Sequence, residues 1–186
     1  MPSNVASALV FIVNALTSLY LLVLVLRFWL PWLRADFRNP LAQGILKLTS
    51  PVIIPLRRIV PSFGRLDSAT ILVAFVIQYA AIWLILLILG TSAGIGDIAI
   101  TALVKLAMLS INLFMFAIFV RIILSWISPG QYNPATAIIG TLTEPVLRPF
   151  RRFIPAIGGI DISPIFAIIF LGAAARLMMG FNLLGI

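Results

Sequence analysis

Two long stretches without a single charged residue constrain this chain more than any other feature of its sequence. Val5 to Leu26 and Ala69 to Gly90 contain only apolar and uncharged polar residues. A run of about 18 or more apolar residues suffices to cross a hydrocarbon core of about 30 Å. Only 10% of the 186 residues are charged, against roughly 25% in a soluble domain. The sequence therefore predicts an all-α integral membrane protein.

Two further apolar stretches complete a predicted set of four membrane spans. Leu106 to Val120 lies between Lys105 and Arg121, whose long side chains can reach back to the membrane surface. The last stretch is interrupted only by Arg176. The four spans are expected at about 5–30, 69–90, 100–127 and 162–186.

The positive charges predict how the chain is oriented. Eleven of the 13 lysine and arginine residues lie in or beside the connectors that follow the first and third spans. The positive-inside rule places both connectors in the cytoplasm and both termini outside. Positive charge beside membrane segments indicates topology and lipid headgroups rather than nucleic acid. The eleven residues are Arg27, Arg34, Arg38, Lys47, Arg57, Arg58, Arg65, Arg121, Arg148, Arg151 and Arg152.

The chain contains an internal repeat. Residues 27–67 align with residues 121–161 without a gap after a shift of 94 positions, and 16 of the 41 aligned positions are identical. Self-similarity of this kind indicates a repeat architecture. Both copies enter the membrane in the same orientation, so parallel repeats are expected, related by an axis along the membrane normal. Repeat one is expected over 1–90 and repeat two over 100–186, each with two spans around an amphipathic connector, 39–67 or 133–161.

Polar residues at the connector ends predict helix caps. Asn39 and Asn133 each precede a proline, which is the usual start of a helix. Asp67 and Asp161 precede the second span of each repeat, where a helix dipole favours a carboxylate. Each connector is also expected to start a second short helix, at Thr49–Pro51 or Thr143–Pro145, and to end in a proline–glycine turn: Pro61, Gly64, Pro155 and Gly158.

The arginine pairs of the connectors have two interpretations. In the second copy, apolar residues such as Phe150 and Phe153 line one helix face and arginines line the other, a pattern typical of helices in the membrane interface. The arginines therefore either anchor this architecture or converge into an anion or lipid site. The candidates for lipid or anion binding are Arg57, Arg58, Arg148, Arg151 and Arg152.

Two arginine–tryptophan pairs lie at the cytoplasmic ends of the first and third spans. Arg27 is followed by Trp32, and Arg121 by Trp126, at equivalent repeat positions. Arginine together with tryptophan is the normal anchor at a membrane surface. We therefore expect these four residues to be interface anchors.

Arg176 is an expected intramembrane charge. It lies about 20 Å from the start of the last span at 1.5 Å per residue, where an unpaired charge is costly. One interpretation is an ion pair with Asp97 or with the carboxylate of Ile186, both expected on the outer side. The other is a charge that lines a pore or cavity, where an arginine repels cations.

The composition argues against catalysis. The chain has no cysteine and no histidine, so thiolate chemistry, the usual zinc sites and histidine-ligated haem are excluded. It also lacks a recognisable nucleophile–base pair and a nucleotide loop. We therefore expect no enzyme activity, no cofactor and no metal.

The two copies of the connector resemble the paired signature of the YggT family, also called YlmG. The stretches are "NPLAQGILKLTSPVIIPLRRIVPSFGRLDSA" and "NPATAIIGTLTEPVLRPFRRFIPAIGGIDISP". The resemblance implies a small multi-pass protein of the bacterial inner membrane, linked to osmotic stress and to ion, particularly potassium, homeostasis. It also implies an alternative, a scaffold or assembly factor in cell division, nucleoid placement or cytochrome maturation. It implies no catalytic residues.

Two molecular functions remain open at this point. An accessory protein would bind anionic phospholipids and unidentified membrane protein partners through its connectors. An ion-permeation component would be a homo-oligomer, since four helices enclose little space. Lipid-bilayer conductance distinguishes them, because only the second should conduct.

Overall fold

The computed structural model describes residues 4–62, 64, 66–127, 133–154 and 161–185. Over these residues the chain forms six α-helices, which confirms that the protein is helical. The helices are α1 (Asn4–Trp32), α2 (Pro40–Arg57), α3 (Ser68–Leu89), α4 (Ile95–Ile127), α5 (Pro134–Phe153) and α6 (Ser163–Met179).

Three of these helices, α1, α3 and α4, are long and apolar enough to cross a membrane. The fourth predicted span, α6, is apolar but has only 17 residues, or about 25 Å at 1.5 Å per residue. It ends at Met179, before Gly180, a residue that weakens helices. The helix is therefore shorter than the span expected over 162–186.

Helix α4 differs from its expected bounds in the opposite direction. It begins at Ile95, with Asp97 in its first turn, where the helix dipole favours a carboxylate. The third span was expected to begin only at about residue 100. The connection between α3 and α4 is therefore short: Gly90 ends α3 with a left-handed φ of 66°, and α4 already begins at Ile95.

The expectation of two short helices in each connector is wrong. Helix α2 continues through Pro51 and Pro55, and α5 continues through Pro145 and Pro149. The hydroxyl of Thr49 donates to the carbonyl of Ile45 at 2.6 Å, which places it inside a helix rather than at a cap. The turn residue Gly64 has a φ of 60°, as only glycine adopts readily. Pro155 and Gly158 lie outside the described residues.

Each connector helix packs against the two apolar helices of its own repeat. Ile53 of α2 lies in one buried cluster with Leu21 of α1 and Ala69 of α3. Leu147 of α5 lies in a matching cluster with Ile118 of α4 and Ala167 of α6. Ile53 and Leu147, the central residues of the two clusters, are related by the 94-residue shift. The repeated sequence thus places the polar ends of the connectors beside the ends of the apolar helices.

The two halves meet along two further clusters. Near the connectors, Leu30 of α1 packs with Phe114 of α4 and Leu142 of α5. At the other end, Ile82 of α3 packs with Ala102 of α4. The side-chain amide of Asn39 also donates to the carbonyl of Pro134 at 2.7 Å. Both connectors therefore lie at the same end of the helical bundle.

Candidate functional site

Arg27 is the centre of a buried polar group in the first half of the chain. It lies on α1 with 3% of its surface exposed. Its Nη1 atom donates to the hydroxyl of Thr49 on α2 at 2.6 Å and to the carbonyl of Leu46 at 3.3 Å. A buried charge needs such partners because its desolvation is costly. Arg27 thus fixes the connector helix against the end of α1.

Asp67 completes this group from the start of α3. Its carboxylate accepts from Nη2 of Arg57 at 2.6 Å and from the hydroxyl of Thr70 at 2.7 Å. Its Oδ2 atom also lies 3.6 Å from Nε of Arg27. We call Arg27, Thr49, Arg57 and Asp67 the first arginine cluster. One carboxylate therefore joins α1, α2 and α3.

The environment of Asp67 favours its ionised form. Burial alone opposes ionisation, but the hydrogen bonds from Arg57 and Thr70 outweigh it and lower the pKa of Asp67 below its ordinary value. The carboxylate is also the N-cap of α3 and accepts from the amide of Thr70 at 3.4 Å. Asp67 is therefore a charged cap at neutral pH.

The second half of the chain repeats this arrangement with one added carboxylate. Arg121 donates to the hydroxyl of Thr143 at 2.7 Å and to Glu144 at 3.0 Å. Arg151 donates to Glu144 at 2.9 Å and to Asp161 at 2.8 Å. We call Arg121, Thr143, Glu144, Arg151 and Asp161 the second arginine cluster. Glu144 occupies the position of Ser50 in the first half.

The second arginine cluster is more exposed than the first. Its two carboxylate side chains, Glu144 and Asp161, are 49% and 38% exposed, whereas that of Asp67 is 5% exposed. Burial opposes ionisation of both, yet hydrogen bonds from Arg121 to Glu144 and from Ser163 to Asp161 lower their pKa values. Burial lowers the pKa of Arg151, but its hydrogen bond to Asp161 and the nearby charge of Glu144 outweigh that effect and raise the pKa.

The structure divides the five candidate lipid-binding arginines into two classes. Arg57 and Arg151 are held by carboxylates of the clusters. The others are exposed and form no side-chain hydrogen bond or ion pair with the described residues. They are Arg58, Arg148 and Arg152. The adjacent arginines of each pair thus have different surroundings.

Arg27 is not the surface anchor that its position beside Trp32 suggested. The connector helix covers it, and its guanidinium binds protein atoms instead of facing outward. Its repeat partner Arg121 is partly exposed, as its side chain reaches Glu144. Trp32 and Trp126 are both exposed.

The predicted cap residues lie at the helix starts. Asn39 accepts from the amide of Leu41 and is the N-cap of α2. Asn133 is the N-cap of α5, where it forms a reciprocal capping box with Thr136. Ile162 rather than Asp161 occupies the N-cap position of α6, and Asp161 accepts from the amide of Ser163 at 3.0 Å.

Arg176 and Asp97 are not brought together. Neither forms an ion pair with any of the described residues, and both are exposed. Arg176 lies in the last turn of α6, where the helix dipole favours a cation. Because α6 ends early, Arg176 lies near a helix end rather than within a longer span. Ile186 lies outside the described residues.

The threonines of both clusters were missed by the sequence analysis. Thr49 and Thr143 contribute the shortest side-chain hydrogen bonds of Arg27 and Arg121. A signal was present, since both positions are identical between the two copies. The arrangement as a whole supplies guanidinium donors and carboxylate acceptors at one end of the bundle. That chemistry suits ion pairing and headgroup recognition.

Comparison with known proteins gives consistent matches along the chain. The CCB3/YggT family model matches it twice, over residues 6–88 and 100–182. An uncharacterized Pseudomonas aeruginosa protein is 43% identical over 163 residues, covering 87% of this chain and 83% of that protein. Escherichia coli K12 YggT is 36% identical over 166 residues, covering 89% and 86%.

A plant relative matches a shorter segment. The Arabidopsis thaliana protein named YlmG homolog protein 2, chloroplastic, is 39% identical over 66 residues, which are 34% of this chain and 25% of that protein. No solved structure gives a significant match.

Proposed function

Because the chain belongs to the CCB3/YggT family, we propose that it is a multi-pass protein of the bacterial inner membrane that acts in osmotic-stress and potassium homeostasis. The proposed role involves no catalysis. Its molecular basis is the binding of lipid headgroups by the connectors. The observation that carries it is that three connector arginines are exposed and form no ion pair with the described residues.

The proposed topology has four spans in two parallel repeats, with the connectors in the cytoplasm and both termini outside. The double match of one family model supports the repeats, and the contact of Asn39 with Pro134 supports a common side for the connectors. The chain has no cysteine, so single cysteines at Arg58 and Arg152 can be labelled cleanly. An impermeant maleimide should reach both only from the cytoplasm, and labelling from opposite sides would overturn the topology.

Arg58 and Arg152 are the proposed headgroup contacts, with Arg148 beside them on α5. They carry charge that no described carboxylate neutralises. A basic residue near an anionic membrane surface contributes about 1 kcal/mol to binding. Arg57 and Arg151 contribute indirectly, because their ion pairs hold the connector helices in place.

The binding experiment compares two double variants with equal charge changes. Arg58→Gln/Arg152→Gln removes the proposed contacts, and Arg38→Gln/Lys47→Gln removes two other exposed cations of the first connector. Native mass spectrometry of the detergent-purified protein counts bound phosphatidylglycerol. The first variant should lose about thirtyfold in apparent affinity, from about 1 kcal/mol for each arginine, and the control much less. Equal losses would mean that only net charge matters.

The cellular experiment uses a bacterial strain that lacks its own copy of the gene. Survival and potassium content are measured after an osmotic upshift. The wild-type chain should restore both, and Arg58→Gln/Arg152→Gln should restore less. A deletion strain without any osmotic or potassium defect would contradict the proposed role. Conductance of the purified protein in planar bilayers then separates ion permeation from an accessory function.

We also propose that the protein self-associates. The first half of α1 contributes no buried residue, and those of the second half begin at Leu21. By contrast, α4 buries Ile98, Thr101 and Ala102 near its start through packing with α3. A second copy covering the first half of α1 would give both helices similar neighbours. Light scattering in detergent should give more than one chain per particle, and a monomer would contradict this.

A further inference from the structure

An amphipathic cleft lies beside the second arginine cluster. It has a volume of about 560 Å³ and lies between α4, α5 and the start of α6. Its polar wall contains Arg121, Arg151 and Asp161, and its apolar wall includes Ile122 and Ile165. A cleft lined by both charged and apolar side chains suits a molecule with a polar head and a hydrocarbon body.

The charges of the second arginine cluster cancel, although Glu144 lies behind the two arginines and does not itself line the cleft. Two guanidinium groups, Arg121 and Arg151, are joined by Glu144, and Arg151 also binds Asp161. Two positive and two negative groups leave no net charge. Asp161 is partly exposed, so its carboxylate can accept further hydrogen bonds. The cleft therefore offers donors and acceptors side by side without favouring either sign of ligand.

The first arginine cluster differs in both charge and access. Ser50 stands where Glu144 stands, so Arg27 and Arg57 face a single carboxylate, Asp67. Arg27 and Asp67 are almost fully buried. An external headgroup cannot reach them. Arg57 is accessible, but the first cluster has no accessible carboxylate beside it.

We propose that this cleft binds the headgroup of a zwitterionic phospholipid that carries a phosphate and a primary ammonium, as in phosphatidylethanolamine. The phosphate accepts from Arg121 and Arg151, because guanidinium donors match phosphate oxygens. The ammonium donates to Asp161. The acyl chains lie along Ile122 and Ile165. The inference rests on the proposed headgroup-binding function, and it adds a neutral-lipid site distinct from Arg58 and Arg152.

The role of charge is tested by replacing Glu144 with serine, the residue found at the equivalent position, Ser50, in the first half. Glu144→Ser leaves the site with one excess positive charge, and Asp36→Ser is the control that changes the net charge equally at an exposed carboxylate outside the cleft. Native mass spectrometry is performed with equal amounts of phosphatidylethanolamine and phosphatidylglycerol. The wild type should retain phosphatidylethanolamine, and Glu144→Ser should shift the occupancy ratio about tenfold toward phosphatidylglycerol. An unchanged ratio would overturn the proposal.

The place of binding is tested by filling the cleft. Ile165→Trp should abolish selective retention of phosphatidylethanolamine, while Ile71→Trp, at the equivalent position in repeat one, should not. Circular dichroism melting checks that each variant remains folded. Phosphatidylcholine should bind more weakly than phosphatidylethanolamine in the wild type, because its methylated ammonium has no N–H to donate.

Two further experiments distinguish binding of the whole lipid from binding of its headgroup alone, and failure of the cleft proposal from failure of the proposed function. Soluble glycerophosphoethanolamine should compete only weakly, because it lacks acyl chains; competition equal to that of the lipid would contradict the apolar wall. Phosphatidylglycerol binding that depends on Arg58 and Arg152 should persist in Ile165→Trp. If that dependence persists while phosphatidylethanolamine selectivity is absent in the wild type, the cleft proposal fails and the proposed function does not.

Discussion

The first and second arginine clusters use nearly the same residues in two different environments. Arg27 and Asp67 are buried together, whereas their equivalents Arg121 and Asp161 are partly exposed. The residue that differs within the set is Ser50, replaced by Glu144. One ion-pair pattern thus holds helix ends together in a buried setting in one copy and leaves its charged groups accessible in the other.

The largest expected effect comes from removing the carboxylate of the buried cluster. Asp67→Asn leaves Arg27 buried without its charge partner, which typically costs about 3–5 kcal/mol. Asp161→Asn removes an exposed pair and should cost about 1 kcal/mol or less. The free energy of unfolding in mixed detergent micelles measures both. Similar losses for the two variants would contradict the difference in burial.

Acid should destabilise the protein mainly through the buried cluster. The folded-state pKa of Asp67 lies below its ordinary value, so its contribution is present above about pH 4 and is lost as the pH falls through the folded pKa. Glu144 and Asp161 have the same sign but are screened by solvent. Melting in a non-titrating detergent between pH 7 and 3 measures the effect.

Asp67→Asn provides the internal control for this titration. The variant has already lost the carboxylate, so its melting temperature should vary less with pH than that of the wild type. Asp161→Asn should keep most of the wild-type dependence. A larger flattening in Asp161→Asn would mean that the exposed cluster dominates acid sensitivity.

A smaller effect is expected from the threonines. Thr49→Val removes the 2.6 Å hydrogen bond to buried Arg27 and should cost about 1.5–3 kcal/mol, as for bonds to charged groups. Thr143→Val removes the matching 2.7 Å bond to Arg121, where water can replace the hydroxyl, and should cost less. Unfolding free energies rank the two. The reverse order would show that Arg27 finds another partner.

The smallest effect is expected at Arg34, a residue outside both clusters. Arg34 follows α1 with a left-handed φ of 56°, and the amide of Ala35 donates to the carbonyl of Leu30 at 2.9 Å. Glycine favours this conformation, so Arg34→Gly should stabilise the protein by about 0.5–1 kcal/mol. Arg38→Gly, at an ordinary backbone position, is the control. A loss of stability in Arg34→Gly would mean that its side chain matters more than its backbone strain.

The apolar runs and cap residues of the sequence predicted most of the helices but not all of their ends. Uncharged stretches placed α1 and α3 closely, and Asn39 and Asn133 marked the starts of α2 and α5. The end of α6 was placed too late, because the turn-forming residues Gly180, Asn182 and Gly185 lie among apolar residues that extend the hydropathy of the span. Hydropathy reports burial in lipid and does not report where a helix stops.

The site was harder to predict than the helices. Arg27 beside Trp32 has the pattern of a surface anchor, and only packing by the connector helix buries it. The roles of Arg57 and Arg58 could not be separated from sequence, since adjacent arginines of an interfacial helix have equivalent chemistry. Their difference depends on which one reaches Asp67. Which arginine faces Asp67 depends on how α2 is rotated about its axis, and two adjacent identical residues give no information about that rotation.

A pair of double-mutant cycles tests the contrast between the clusters most directly. One cycle combines Arg57→Gln with Asp67→Asn, and the other combines Arg151→Gln with Asp161→Asn, at equivalent pairs of 2.6 and 2.8 Å. Unfolding free energies give a coupling energy for each pair. We predict about 1–2 kcal/mol for the first pair, because Asp67 is buried although Arg57 is 44% exposed, and about 1 kcal/mol or less for the second pair, whose two side chains are both partly exposed. Equal coupling energies, or a larger one for Arg151 and Asp161, would contradict the account.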